Sequence, residues 1–208
     1  MKILVINTAG MTAQLALQAD NLNYFSELDA SMKHSENLLP EIEKLLKKAN
    51  VNLNELEYLA VNVGPGSFTG LRISIATAKA LLVTHPTLKA VKFNSFEMLA
   101  NNFFENNKDE KIDIVLNALS GLHFVSTFEN NKFSEPKMIE KSELENLNNI
   151  VSNENIENCN VKLAKFTCEN MLKIALEKIA KNETCPESEL VPLYIRPSQA
   201  EANLIKNK

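Results

Sequence analysis

The sequence predicts an α/β protein of two unequal lobes, and three observations predict it. Short apolar, β-branched runs at residues 2–8, 56–63 and 89–93 alternate with helical patterns, as buried strands of a partly parallel sheet do. Two alternating runs at 13–18 and 24–30 follow the first strand closely and read as its antiparallel partners. The polar run "ENNKDEK" then precedes a second set of elements that again opens with strands. The reading places a first lobe at residues 1–105 and a smaller second lobe with an extended tail at 106–208.

The elements follow in order. "MKILVINTA" gives the first strand, and Asn7-Thr8-Ala9-Gly10 turns it. Its single Lys before a short apolar run reads as a strand rather than a leader. In "KHSENLLPEIEKLLKKAN" the residues Leu38, Leu39, Ile42, Leu45, Leu46 and Ala49 fall at helical spacing. They form two adjacent stripes, Leu38/Ile42/Leu45 and Leu39/Ile42/Leu46/Ala49. Ser35 is placed to cap this helix. Pro40 conflicts with it, because proline removes the bond to the Glu36 carbonyl; the helix kinks there or starts nearer Leu39. "VNVGPGSFTGLRISIATAKALL" (residues 61–82) follows the second long strand. The third strand leads to "SFEMLANNFF", a helix with Ser95 as its cap. Residues 112–118 and 122–128 make a hairpin about Ser120-Gly121, and 133–139 reads as a further strand. The Asn/Glu-rich stretch 142–158 carries no clear pattern. Residues 168–181 form a helix with Met171, Leu172, Ala175, Leu176 and Ile179 on its apolar side. "LVPLYIRPSQAEANLIKNK" is an extended tail. Three strands, helix, strand, helix, strand is the order of a ribonuclease-H-like lobe, and the second lobe repeats that plan in reduced form.

Composition narrows the function classes. The 208 residues are 45% hydrophobic and 23% charged, in the range of globular domains. The net charge is −4 and Arg72 and Arg196 are the only arginines, so the chain lacks the basic patch of a protein that grips nucleic acid alone. Cys159, Cys168 and Cys185 have neither metal nor redox spacing and read as reduced thiols of a cytosolic protein. No window approaches the ~20 apolar residues of a membrane span. The Asn-rich, Gly-poor composition reads as genomic bias.

The glycine loop admits two readings by spacing. A phosphate loop of the Walker type needs G-x-x-x-x-G-K-[ST], and here Gly64, Gly66 and Gly70 lead to Arg72 instead. A dinucleotide fingerprint needs G-x-G-x-x-G and fails by one residue, at Thr69. The strand–turn–helix context still suits an anion. The alternative is a tight strand-to-helix turn, with glycines for positive φ and close packing. The helix after it is apolar around its whole circumference, with Leu71, Ile73, Ile75, Ala76, Ala78, Ala80, Leu81, Leu82 and Val83 interrupted only by Arg72, Ser74, Thr77 and Lys79. Such a helix is buried on all sides. A sheet covers one face at most, so the other meets the preceding helix, a partner, or both.

"VGPGSFTGLRISIATAKAL" resembles the signature of the TsaB (YeaZ) family, whose usual form is close to GPGSFTGLRIGxATAKGL. "MKILVINTA" is similar to that family's opening strand, "KHSENLLPEIEKLL" to its HSExLLPxIxxLL helix, "FNSFEMLA" to its V-x-S-L-E-x-L-A and "LVPLYIRP" to its closing P-x-Y-L-R. The resemblance is dense over the first ~100 residues and thin between Glu105 and Glu189. It implies an actin/Hsp70/sugar-kinase fold of two ribonuclease-H-like lobes. It implies a part in bacterial tRNA modification: the addition of threonylcarbamoyl to the adenosine beside the anticodon, in tRNAs reading codons that begin with A. The transfer itself belongs to a catalytic paralogue, TsaD, which TsaB-like proteins bind; an ATPase, TsaE, joins them. Homodimers form through the same surface, two helices packing on the same pair of the partner. Transfer RNA is then met only through the complex, in the cytoplasm.

The resemblance also shows what chemistry this chain lacks. Actin-like ATPases hold Mg²⁺ through an Asp ending the first strand, and here that residue is Asn7. The second lobe's first strand commonly ends in Asp-Ala-Arg in this family, and here it reads Asn117-Ala118-Leu119. An amide cannot offset a divalent charge. The paralogue's His-x-x-x-His metal pair has no counterpart, since His34, His85 and His123 lie in different elements. The sequence therefore predicts no catalytic, metal or cofactor residues; the alternative is a stand-alone actin-like ATPase or phosphotransferase. It predicts a structural role for Gly64, Pro65, Gly66, Ser67 and Gly70. It predicts a partner face drawn from Leu39, Ile42, Leu46, Arg72, Ile75, Ala76, Lys79 and Leu82, with Ser74, Ala76, Thr77, Ala78 and Ala80 setting how near the helices come.

Overall fold

Strands form where β-branched and apolar residues run without interruption, and the first of them is buried at every residue. The computed structural model describes residues 1–29, 33–105, 107 and 111–195. Strands β1 (Ile3–Asn7), β2 (Ala13–Ala19), β3 (Leu22–Leu28), β4 (Tyr58–Asn62) and β5 (Lys89–Phe93) make one sheet in the order β3-β2-β1-β4-β5. The β1–β2 and β2–β3 pairs are antiparallel; β1–β4 and β4–β5 are parallel. Alternation sorts β1 between two cores. Leu4 and Ile6 join one cluster with helices α1 (His34–Ala49) and α2 (Phe68–Thr84). Ile3 and Val5 join the other with α4 (Cys168–Ala180). The first sheet is thus covered on both faces, and its far cover comes from the end of the chain.

The second sheet repeats the order. Strands β6 (Lys111–Asn117), β7 (Leu122–Glu129), β8 (Lys132–Phe133), β10 (Ile150–Ser152) and β11 (Val161–Leu163) lie as β11-β10-β6-β7-β8, and β9 (Lys137–Glu140) also pairs with β7. Helix α3 (Ser95–Phe104) covers one face through Phe96, Leu99 and Phe103. Where the first lobe carries α1 after its third strand, the second has only the 3-10 turn Lys141–Asn146, whose Leu144 closes the opposite face.

Several local expectations are corrected. Ser35 does not cap α1; the helix begins at His34 with Lys33 as N-cap and no side-chain cap bond. It does not wait for Leu39, and Pro40 lies inside it. Burial of Leu38, Ile42, Leu45 and Leu46, worth about 1.5–3 kcal/mol each, outweighs the ~3 kcal/mol a mid-helix proline costs. Asn94, not Ser95, caps α3, in a capping box with Glu97. The strand expected at 133–139 is two short ones, β8 and β9, and β10 lies in the stretch that showed no pattern. The tail from Arg196 onward lies outside the described residues, as do Asn106 and 108–110 of the polar run.

Asparagine takes over positions where glycine is usual. Asn21, Asn50, Asn130, Asn131, Asn149, Asn158 and Asn182 all have positive φ, a conformation their short polar side chain tolerates. Asp20-Asn21 closes the β2–β3 hairpin and Asn130-Asn131 the β7–β8 hairpin, in the two-residue turns that need φ > 0 twice.

Candidate functional site

The loop "GPGSFTG" is stitched to the end of β1. Gly64 has φ +105°, a value only glycine holds without strain, and its N–H donates to Asn62 Oδ1 at 2.8 Å. The Gly64–Pro65 peptide is cis. Gly66 and Gly70 pass so near the carbonyls of Ala9 and Thr8 that a Cβ on either would overlap them. Ser67 N–H donates to the Ala9 carbonyl at 2.7 Å, and Thr8 Oγ1 donates to the Gly70 carbonyl at 2.7 Å. Ser67 is the N-cap of α2, its Oγ accepting from Gly70 N–H at 3.2 Å. The amides of Gly64, Ser67 and Gly70 are therefore engaged within the chain. Of the two readings by spacing, this geometry is that of the tight strand-to-helix turn.

The loop aims α2 along the sheet, and only part of its circumference is covered. Gly70, Leu71, Ser74, Ile75, Ala78, Leu81 and Leu82 are buried, while Arg72, Ala76, Ala80 and Val83 are exposed. Within this chain the sheet and α1 cover only part of the helix, and one side faces solvent, Val83 being 70% exposed. The candidate residues sort accordingly. Leu39 (56% exposed), Arg72 and Ala76 lie on the surface. Ile42, Leu46, Ile75 and Leu82 are buried in the core shared by α1, α2 and the sheet, so they support the surface from beneath. Lys79 is half-buried and paired with Glu187 at 3.3 Å. Of the small residues, Ser74 and Ala78 face inward, Thr77 is half-buried, and Ala76 and Ala80 are outermost.

Sequence reasoning missed an aromatic ledge at the start of α2. Phe68 and Tyr194 are 49% and 54% exposed, with ring centroids 5.5 Å apart. The Arg72 guanidinium sits 5.4 Å from the Phe68 ring centre. Leu193 N–H donates to the Val63 carbonyl at 2.8 Å, which brings the tail alongside the loop. The signal was present, since Phe68 lies within the glycine motif and Tyr194 within "LVPLYIRP". Neither element's periodicity points one at the other.

The position of the expected acid is filled by a buried amide network. Asn7 is 1% exposed; its Nδ2 donates to Gln14 Oε1 at 2.9 Å, and its Oδ1 accepts from Ala9 N–H at 3.0 Å and Asn62 Nδ2 at 2.9 Å. Asn117 is exposed at the β6–β7 turn, its Oδ1 accepting from Leu119 N–H at 2.8 Å. His34 starts α1, His85 caps the C-terminus of α2, and His123 lies in β7, where burial lowers its pKa. Among the described residues no group of three or more His, Cys, Asp or Glu side chains is placed to hold a metal ion, and no helix is long and apolar enough to cross a membrane.

Comparison with known proteins agrees with this architecture. The family described as "TsaD: tRNA N6-adenosine threonylcarbamoyltransferase" matches residues 28–134, just over half of the chain. The chain is 30% identical over 110 residues to the tRNA threonylcarbamoyladenosine biosynthesis protein TsaB of Buchnera aphidicola subsp. Baizongia pistaciae, covering 53% of this chain and 50% of that protein. It is 38% identical over 82 residues to the TsaB of Escherichia coli K12, covering 39% and 35%. The chain spans about half the length of the curated relatives it matches. A Pseudomonas aeruginosa protein described as similar to peptidase YEAZ superposes with a TM-score of 0.77 over 94% of this chain and 99% of its own, at 17% identity, and so shares the fold. The chain belongs to the tRNA N6-adenosine threonylcarbamoyltransferase (TsaD) family, among its TsaB (YeaZ) members.

Proposed function

We propose that this protein is a non-catalytic scaffold of tRNA threonylcarbamoyladenosine synthesis. It docks on a TsaD-type transferase and activates it, and the transferase carries out the threonylcarbamoyl transfer. The observation that carries the reading is the exposed side of α2. Arg72, Ala76, Ala80 and Val83 form a side that is small in its middle and apolar at one end, with Leu39 of α1 also exposed. Small residues at the centre let a partner's backbone approach closely, and rigid buried neighbours beneath keep the face in shape. A flat, small-residue side left uncovered on an otherwise well-packed helix suits a close-fitting protein interface. In the transferase's absence the same face pairs two copies of this chain. A TsaE-type ATPase joins the complex, tRNA is met only through it, and the assembly works in the cytoplasm.

The absence of catalysis rests on Asn7 and Asn117. A neutral amide whose oxygen already accepts two hydrogen bonds offers a divalent cation neither charge nor a free lone pair of carboxylate strength. Three of the loop amides, those of Gly64, Ser67 and Gly70, donate within the chain.

The test is to mix the chain with the TsaD-type transferase of its own organism and weigh the species formed by sedimentation. A heterodimer at micromolar concentration is expected, formed at the expense of the homodimer. Two proteins that sediment separately at tens of micromolar would refute the reading.

A further inference from the structure

Gln14, Asn7 and Asn62 form a relay whose direction is fixed from both ends. At one end Gln14 Nε2 donates to the Phe166 carbonyl at 3.0 Å and to Glu27 Oε1 at 2.9 Å. Both are acceptors only, so the Gln14 amide has one orientation and presents Oε1 to Asn7. At the other end the donors are backbone N–H groups, Ala9 onto Asn7 Oδ1 and Gly64 onto Asn62 Oδ1. Asn62 Nδ2 then closes the chain onto Asn7 Oδ1 and also reaches Ser95 Oγ at 3.1 Å. No amide can flip without leaving buried groups unpaired at both ends, and Asn7, Gln14 and Asn62 are all nearly or fully buried.

The relay joins opposite sides of the first sheet. Phe166 precedes α4, capped by Thr167, and α4 covers one face. Gly64 opens the loop that carries α2 over the other. Ala9 doubles the link, since its N–H is held by Asn7 while its carbonyl takes Ser67 N–H, the cap residue of α2.

We infer that Gln14 is a positioning residue: through Asn7 and Asn62 it fixes the loop that launches α2, so that the segment at Phe166 and the first turn of α2 open together. The relay stands independently of the docking reading, and only its consequence for affinity rests on that reading. A fully satisfied buried amide network is rigid, and losing one member exposes the others to the whole desolvation penalty. Coupling between two sites is also reciprocal.

The experiment is hydrogen exchange on the full chain. Gln14→Met keeps the volume and removes both donors and the acceptor. Gln14→Glu keeps the shape but places a carboxylate against Glu27 and the Phe166 carbonyl. Val125→Ala, in the second sheet and away from the relay, controls for a general loss of stability. Both Gln14 variants are expected to speed exchange at the Gly64, Ser67 and Gly70 amides at least tenfold more than the control does. In the reverse direction, Gly70→Ala is expected to speed exchange at the Met171 amide, which donates to the Thr167 carbonyl. Acceleration confined to β2 and β3, or no greater than that of the control, would overturn the relay. Titration with the transferase separates the two ideas. A roughly tenfold loss of affinity in Gln14→Met extends the relay to the docking face, whereas spread exchange with unchanged affinity upholds the relay and removes the docking face.

Discussion

Asn7 ends the first strand, where the family resemblance leads one to expect an acid, and its surroundings make a charge costly. In Asn7→Asp the new carboxylate would point an oxygen at Gln14 Oε1 where an amide hydrogen now lies. An unpaired buried carboxylate costs about 3 kcal/mol. Burial raises its folded-state pKa above the ordinary ~4. The folded variant then binds more protons than the unfolded one, so its deficit is full above the folded pKa and shrinks as the pH falls. Protonated, the side chain can again donate to Gln14. Urea melts at pH 7.5 and 5 should show a smaller gap from the native protein at pH 5; a gap that widens on acidification contradicts the network. Cys168 gives a second residue-level prediction. Burial, then the Glu27 and Glu169 carboxylates, push its thiol up to about 12. Iodoacetamide at pH 8 should leave Cys168 unmodified in the folded chain while Cys159, half-buried, is labelled, as peptide mass mapping would report. The sequence showed that residue 7 had lost its acid, because a single position carries that fact. That Gln14, Glu27 and the Phe166 carbonyl would surround it depends on strand register and on a chain return more than 150 residues away, which periodicity does not encode.

At the scale of elements, the glycine loop and α2 are where sequence and structure correspond most closely. The strand, the turn and the helix all form where the pattern places them, and Ser67 caps the helix. The side of α2 that stays exposed was not legible, since apolar residues surround the helix and give it almost no amphipathic direction. Register on the sheet decides instead: Ser74 and Ala78 are small enough to pack inward, and Ala76 and Ala80 are left outside. Gly70→Ala should cost about 1–3 kcal/mol, the range for overpacking, because its Cβ would overlap the Thr8 carbonyl. A thermal melt unchanged from the native protein would contradict that close approach. Ser35 and Ser95 show the limit of cap prediction. Each is a good capping residue one or two positions inside its helix, and the neighbour with extended backbone takes the role. Strands β10 and β11 have three residues each, too few to show alternation; β10 draws its order from pairing along β6, and β11 from pairing along β10.

The whole molecule is two sheets of matching strand order joined by exchanged covers. Helix α4, reached after the second sheet, packs on the first, and α3, between the two, packs on the second as well as against α4. That exchange was invisible in the sequence, where α4 reads only as an amphipathic helix of unspecified address. At this scale the net charge of −4 makes a prediction of its own. Alone at ~0.15 M salt the chain should bind tRNA no more tightly than the ~10⁻⁴–10⁻⁶ M of non-specific binding; a submicromolar constant by filter binding would contradict it. The central claim, that the exposed side of α2 activates a TsaD-type transferase, is met most directly by reconstituting threonylcarbamoyl transfer to tRNA with and without this chain. The account predicts that the transferase works only when the native chain is added. It predicts that Ala76→Glu, folded by circular dichroism because Ala76 is exposed, fails to support it. A folded Ala76→Glu chain that restores full transfer, or a transferase fully active by itself, would contradict the account.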